Sequence, residues 1–314
     1  MGQVMAICTS TVRGVAKEYI GSAAFTPEWG IVGDAHGGKW HRQVSLLGAE
    51  KIREFNKRGA EVSPGAFGEN LVVEGFDFRS LPVGTQLRCG QVLLEMTQIG
   101  KECHSHCEIY KRMGDCIMPR EGVFAKVLEA GTISVGDEME IVSSAGKAHY
   151  RAAVITLSDK GAAGEREDQS GPAIAKRLEA AGYEVIEQLL LPDGREKLEQ
   201  QLIRLCDQRQ PHLIITTGGT GFSPRDLTPE ATLAVAERNA PGVAEAIRAY
   251  SMSITNRAML SRGVAVLRKK TLIVNLPGSV KATQESLDCI LDVLPHGLDV
   301  LAGTSGDCGS PVIN

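Results

Sequence analysis

The hydrophobic positions of this chain follow one rule over residues 1–142 and another after residue 150. In the first stretch the apolar residues form short runs, at 4–9, 43–47, 70–73, 86–87, 92–99 and 138–142, with glycine punctuating the segments between them. Two turns echo each other, Leu81-Pro-Val-Gly-Thr-Gln-Leu87 and Ile133-Ser-Val-Gly-Asp-Glu-Met139, and both set Val-Gly at a corner ahead of a strand. Many short strands with glycine corners predict a small barrel or sandwich. One helix is predicted over 48–57, where Ile52 and Phe55 give an apolar stripe.

Residues 143–148, Ser-Ser-Ala-Gly-Lys-Ala, are small, polar and without period, a linker composition. Beyond them strands and helices alternate. Strands are predicted at 152–157, 184–191, 212–217 and 272–276. Helices are predicted at 172–181, with Pro172 in its first turn and Gly182 at its end, and at 195–206. A further helix opens at Thr228-Pro-Glu, with Thr228 as N-cap and Pro229 at N1. A last helical stretch covers 281–301, broken near 295–297. Unbroken apolar strands alternating with helices imply a parallel sheet covered on both faces. The expected architecture is a β-rich domain over 1–145, then a three-layer α/β domain over 149–314 with a mostly parallel sheet.

Length and charge narrow the function. A chain of 314 residues suits two domains. Residues 1–147 carry 16 Lys+Arg and 18 Asp+Glu, and the remainder 18 and 20, so each half stands at −2 within a net −4. Neither half is a basic nucleic-acid binder, and no polybasic run suits a membrane surface. No apolar stretch reaches the ~20 residues that span a bilayer. The N-terminal residues lack a signal-peptide layout, and Ala6 sits where a myristoylation signal wants Ser or Thr. A cytoplasmic protein without nucleic-acid or membrane partners is expected. Glycine, at about 11% of the chain against roughly 7% in ordinary proteins, marks tight turns and places where backbone approaches a ligand.

In an open parallel sheet, ligands bind beyond the carboxyl ends of the strands. Four predicted strands end in unusual residues there. They are Thr156-Leu-Ser158-Asp159; Leu191-Pro-Asp193-Gly194; Thr216-Thr217-Gly218-Gly219-Thr220-Gly221, followed by Phe222-Ser223-Pro-Arg-Asp226-Leu-Thr228; and Asn275-Leu-Pro277-Gly278-Ser279. The glycines of the 218–221 loop can turn backbone N–H groups inward as a nest for anionic oxygens. The loop has neither the spacing and lysine of a P-loop nor a G-x-G-x-x-G fingerprint. Asp193 and Asp226, on adjacent strand ends, can hold Mg²⁺ against phosphate oxygens. Taken singly, each feature has a plainer reading. The loop can be a tight turn, Asp193-Gly194 turn chemistry, Asp226 a helix-dipole carboxylate and Asn275-Leu-Pro-Gly a strand exit. Independent turns, however, have no reason to gather on one edge of one sheet.

The run Thr216-Thr-Gly-Gly-Thr-Gly221, then Arg225-Asp226-Leu-Thr-Pro-Glu-Ala-Thr232 and Asn275-Leu-Pro-Gly278, resembles the MogA/MoaB family of molybdenum-cofactor biosynthesis over about 151–305. The resemblance implies an adenylyltransferase that converts molybdopterin and ATP to adenylyl-molybdopterin and pyrophosphate, usually as a homotrimer. It implies that Asp193 and Asp226 serve catalysis and Mg²⁺. Thr217, Gly218, Gly219, Thr220, Gly221 and Ser223 would bind pterin and nucleotide phosphates, and Ser158, Asp159, Pro277 and Gly278 would form pocket walls. Val280 departs from the family, which often has Pro there.

The first half holds its own cluster, Lys101-Glu-Cys103-His104-Ser-His106-Cys107, with Cys116 nearby. Three readings stand. Zinc favours such ligands, although no second Cys/His pair has suitable spacing. Some of these cysteines can simply be buried, as is expected of Cys8 and Cys89. A reactive or ligand thiolate is the third, its pKa lowered by Lys101, His104 or Arg112. Gly30-Ile-Val-Gly-Asp-Ala-His36, Arg42-Gln-Val-Ser45, Pro64-Gly-Ala-Phe-Gly-Glu-Asn70, Gly100-Lys-Glu-Cys103 and the 114–122 segment resemble a MOSC domain over about 4–142. That implies a β-barrel that binds the molybdenum cofactor or carries sulfur, with Cys103 as the functional thiol. A sulfur donor or molybdate-insertion protein would then be a partner. The rival reading for the whole chain is a non-catalytic binding or carrier protein for the cofactor.

Overall fold

The computed structural model describes residues 1–101, 108–142 and 150–303. The chain divides into two compact units, Met1–Ala145 and Gly146–Asn314. In the first, strands β1 (Gly2–Thr9), β2 (Glu18–Ile20), β3 (Ser22–Thr26), β4 (Gly30–Ile31), β5 (Val44–Gly48) and β6 (Leu71–Glu74) precede five more. These are β7 (Gln86–Cys89), β8 (Val92–Ile99), β9 (Val123–Glu129), β10 (Gly131–Ser134) and β11 (Glu138–Val142). The order β11-β7-β8-β9-β5-β6-β1 closes on itself through β1 and β11, making a seven-stranded barrel with β2 beside β1. A small sheet β10-β3-β4 flanks it.

Every neighbouring pair in the barrel is antiparallel except β5 and β6. A parallel pair needs a crossover, and the predicted helix supplies it as α1 (Ala49–Lys57). Its Ala49, Ile52 and Phe55 are buried, packing outside the barrel with Ala6, Leu47 and Phe124. Ile7, Leu46, Leu71, Leu94, Met96 and Val123 belong to the main barrel core. The two predicted corners are real turns, with φ +97° at Gly84 and +95° at Gly136, a region that side chains disfavour. Strands β2, β3, β4, β9 and β10 lie outside the predicted runs. The short ones have too few apolar residues to stand out alone, and Ser22-Ala-Ala-Phe-Thr26 is made largely of small residues.

The second unit contains β12 (Arg151–Leu157), β13 (Glu184–Leu191), β14 (Leu213–Thr217), β15 (Arg238–Asn239), β16 (Ala265–Arg268) and β17 (Thr271–Leu276). Its sheet order is β13-β12-β14-β17-β16-β15, parallel across the first four strands and antiparallel at the last two. Leu213 and Ile215 pack with Ile174, Ile247 and Leu287 on one face, whereas Ile214 packs with Leu198, Leu202 and Ala231 on the other. Successive strand residues point to opposite faces, so one short strand feeds both helical layers. The helices on the first face are 170–180, 241–252, 280–290 and 294–302, and those on the second are 195–204 and 228–234. None among the described residues is long and apolar enough to cross a membrane.

Three local expectations shift. Thr228 lies inside its helix rather than capping it, because its hydroxyl donates to the Gly218 carbonyl at 2.9 Å. The stretch predicted over 281–301 is two helices, Val280–Ile290 and Leu294–Ala302, and the break comes before Pro295. Proline lacks an N–H and suits a first turn, so it starts the second helix instead of interrupting one. The 195–206 helix ends its α-helical part at Arg204 and widens over Leu205–Arg209.

Candidate functional site

The carboxyl ends of β12, β13, β14 and β17 do converge, and the residues there tie one strand end to the next. Asp159 and Asp193 are joined reciprocally: the Asp159 N–H donates to Asp193 Oδ2 at 3.1 Å, and the Asp193 N–H donates to Asp159 Oδ1 at 3.0 Å. Ser158 Oγ accepts from the Gly161 N–H at 3.1 Å, capping the single turn that follows β12. Asp226 and Ser223 form a second reciprocal turn. The Ser223 N–H donates to Asp226 Oδ2 at 3.0 Å and the Asp226 N–H to the Ser223 carbonyl at 2.9 Å.

The glycine loop threads between these carboxylates. Gly218 and Gly219 have φ of +95° and +63°. A Cβ on Gly219 would overlap the Thr228 hydroxyl and stand 3.6 Å from Asp193 Oδ1; one on Gly221 would stand 2.8 Å from Asp226 Oδ2. Asp193 therefore flanks the loop at Gly219 and Asp226 at Gly221. Gly278 completes the close packing, since a Cβ there would stand 3.3 Å from the Gly218 Cα. Replacing Gly219 by Ala is expected to cost about 1–2 kcal/mol for the left-handed backbone alone. The melting transition of the α/β domain should fall accordingly, and an unchanged midpoint would show that the loop is not held in this conformation.

Not every predicted residue faces outward. Thr217 is fully buried and its hydroxyl donates to the Pro277 carbonyl at 2.6 Å, bracing β14 against the turn after β17. Thr220 is buried as well. Asn275 is interior, donating to Thr216 Oγ1 and Thr232 Oγ1 at 2.9 Å each. It locks the sheet behind the loop instead of lining it. Beside Asp226 an open hollow of about 400 Å³ is lined in part by Phe222, Ser223, Glu230 and Arg262.

Both halves of the chain are similar to known proteins. Residues 153–296 match the family described as "probable molybdopterin binding domain", and residues 33–140 match the MOSC domain. The molybdopterin adenylyltransferase of Haemophilus influenzae is 44% identical over 141 residues, 44% of this chain and 72% of that relative. That of Escherichia coli K12 is 41% identical over 155 residues, 47% of this chain and 79% of that relative. The chain belongs to the molybdopterin adenylyltransferase family. A MOSC domain precedes the matching region. A solved structure of the molybdopterin biosynthesis enzyme MoaB from Thermus thermophilus is 45% identical, covering 49% of this chain and 97% of that one with a TM-score of 0.47. Membership places the protein in molybdenum-cofactor biosynthesis.

The electrostatics of the two strand-end carboxylates differ. Burial pushes the Asp193 carboxyl above the usual range, and the negative charges of Asp159 and Asp226 push it further. Asp159 is held below it by the Arg225 guanidinium. Sequence reasoning missed Arg225 and Arg262 as site residues. Arg262 donates its backbone N–H to the Thr220 carbonyl at 2.9 Å and Nε to the Gly221 carbonyl at 2.8 Å. Its guanidinium also reaches the Asp226 carbonyl and Glu230. An isolated arginine far along the chain gives no spacing signal, so only the fold reveals it.

In the barrel, Cys103, His104, His106 and Cys107 lie outside the described residues. Cys8 and Cys89 are fully buried, and burial pushes their thiols up to about 12 and about 11, which leaves them unreactive. Among the described residues, no group of three or more His, Cys, Asp and Glu is placed to hold a metal. The barrel does hold a buried ion pair, Lys17 with Asp34, at 2.9 and 2.8 Å to the two carboxylate oxygens. Beside it Glu69, fully buried, accepts from the Gly65 and Phe67 N–H groups at 2.7 and 3.0 Å.

Proposed function

We propose that the α/β domain catalyses Mg²⁺-dependent transfer of AMP from ATP to molybdopterin. A phosphate oxygen of molybdopterin forms a bond to the α-phosphorus of ATP, and pyrophosphate leaves. The observation that carries this reading is the placement of Asp193 and Asp226 on either side of one left-handed glycine loop at the carboxyl edge of the sheet. The donor set suits a divalent cation shared with substrate. Two carboxylates that repel each other, with Asp159 already engaged by arginine, leave the remaining coordination to phosphate oxygens and water. Asp193 and Asp226 would hold that cation, which when bound offsets negative charge on the triphosphate.

The protein's own task is then positioning. Loop N–H groups at Gly219–Gly221 would receive phosphate oxygens. Thr217, Asn275 and Arg262 keep the loop from collapsing, and Ser158, Asp159, Ser223, Pro277 and Gly278 shape its surroundings. No side-chain nucleophile is needed. The test is pyrophosphate release from ATP by the full chain in the presence of molybdopterin. Molybdopterin retention without ATP-dependent turnover would favour a carrier instead.

For the MOSC domain we propose binding of the molybdenum cofactor, or sulfur carriage through Cys103 from a separate donor protein. Cys103→Ala is expected to lose most of the persulfide that the wild-type chain carries after incubation with a sulfur donor, read by mass spectrometry, or most of its bound molybdenum. Retention of both would remove Cys103 from this role. A homotrimer in the cytoplasm completes the proposal. Exposed apolar side chains at Tyr250, Met252, Ile254, Met259 and Leu260 supply surface for self-association.

A further inference from the structure

Arg225 crosses from the loop after β14 to the end of β12. Nε and one Nη donate to the two Asp159 oxygens at 2.7 and 2.8 Å, and the same Nη donates to the Asp193 carbonyl at 2.9 Å. Asp159 and Asp193 already exchange backbone-to-carboxylate bonds. One side chain thus fastens the ends of β12, β13 and β14 together where the site is built. Stability does not explain it: Arg225 and Asp159 are 63% and 43% exposed, and such pairs contribute only about 0–1 kcal/mol.

Charge does explain it. The charges of Asp159 and Asp226 both act on Asp193 at this edge, and the proposed chemistry uses Asp193 and Asp226. We propose that Arg225 is a positioning residue: it engages Asp159, fixes Asp193 through it, and leaves Asp193 and Asp226 as the carboxylates open to a divalent cation. This rests on the adenylyltransferase reading of the site. The role needs a planar fork, because lysine offers a point charge that cannot grip both Asp159 oxygens and the Asp193 carbonyl in one plane.

The full chain is compared as wild type, Arg225→Ala, Arg225→Lys and Arg225→Ala with Asp159→Asn. Mn²⁺ is titrated into each without nucleotide, followed by its paramagnetic resonance, and pyrophosphate release is measured across a Mg²⁺ series. With Asp159 freed, Arg225→Ala is expected to bind Mn²⁺ more tightly yet turn over about ten- to a hundredfold more slowly. Adding Asp159→Asn should return Mn²⁺ affinity to the wild-type value and restore part of the turnover, and Arg225→Lys should fall between. Unmoved Mn²⁺ affinity, or a double variant no better than the single one, overturns the proposal. If the wild type itself releases no pyrophosphate while the Mn²⁺ affinities shift as expected, the positioning role stands and the adenylyltransferase reading fails. If the wild type turns over and Arg225→Ala matches it in both measurements, the outcome is the reverse.

Discussion

Asp193→Asn and Asp226→Asn are each expected to lower adenylylation of molybdopterin by at least about a hundredfold while leaving molybdopterin binding largely intact, because the lost charge acts on the transferring phosphate more than on the pterin. Asparagine keeps the shape and the accepting oxygen, so the Asp159 N–H can still donate to residue 193 and the Ser223 N–H to residue 226. The loss should therefore appear in kcat without unfolding. Asp193 sharpens the expectation further. Its folded pKa lies above its unfolded value, through burial first and then through Asp159 and Asp226. The folded state binds more protons across that window, so its ionisation opposes folding as pH rises through it. Asp193→Asn should then melt no lower than the wild type at neutral pH. Lost turnover with undiminished stability is the signature of a group kept for chemistry. Full activity in both variants would sink the assignment.

How far the sequence revealed this depends on the kind of interaction. The glycine loop, Asp193, Asp226 and Pro277–Gly278 were legible because strand ends in a parallel sheet share one edge, so local motifs become neighbours without any three-dimensional information. The same logic found α1, since Ile52 and Phe55 repeat at helical spacing. What local pattern hides is reach. Arg225 spans 66 residues to Asp159 and Arg262 spans 41 to Gly221, and long flexible side chains leave no periodic trace. Thr228 carried a signal with two meanings. Its place before Pro-Glu fits an N-cap, but the nearby Gly218 carbonyl claims its hydroxyl. Short strands such as β3 and β10 draw their stability from pairing with each other, and pairing partners 110 residues apart cannot be read from composition.

The barrel hides its most consequential contact in the same way. Lys17→Met is expected to destabilise the barrel by about 3–5 kcal/mol, a large part of a typical domain's total of about 5–15. The two side chains are 1% and 0% exposed, so methionine fills the space but leaves the Asp34 charge buried. Three hydrogen-bond donors would remain, the Ser10 and His36 N–H groups and Asn70 Nδ2, at 3.2, 2.9 and 3.1 Å, with the His36 ring Nδ1 at 3.6 Å from Oδ1. They stabilise a carboxylate without neutralising it. In the wild type, burial alone would push Asp34 up, but hydrogen bonds from His36 and Lys17 and the lysine charge outweigh it and hold the carboxyl well below its usual range. Its contribution is present above the unfolded pKa and is lost as pH falls through the folded one. Without the ammonium the folded pKa rises, so the gap between wild type and Lys17→Met should be widest near neutral pH and narrow in acid. Adding Asp34→Asn should recover part of the loss, because the Asp34 charge is then gone, while buried Glu69 still lacks the nearby ammonium. A barrel melting transition that Lys17→Met does not move would mean that the pair is open to water, and the double variant would then show no recovery.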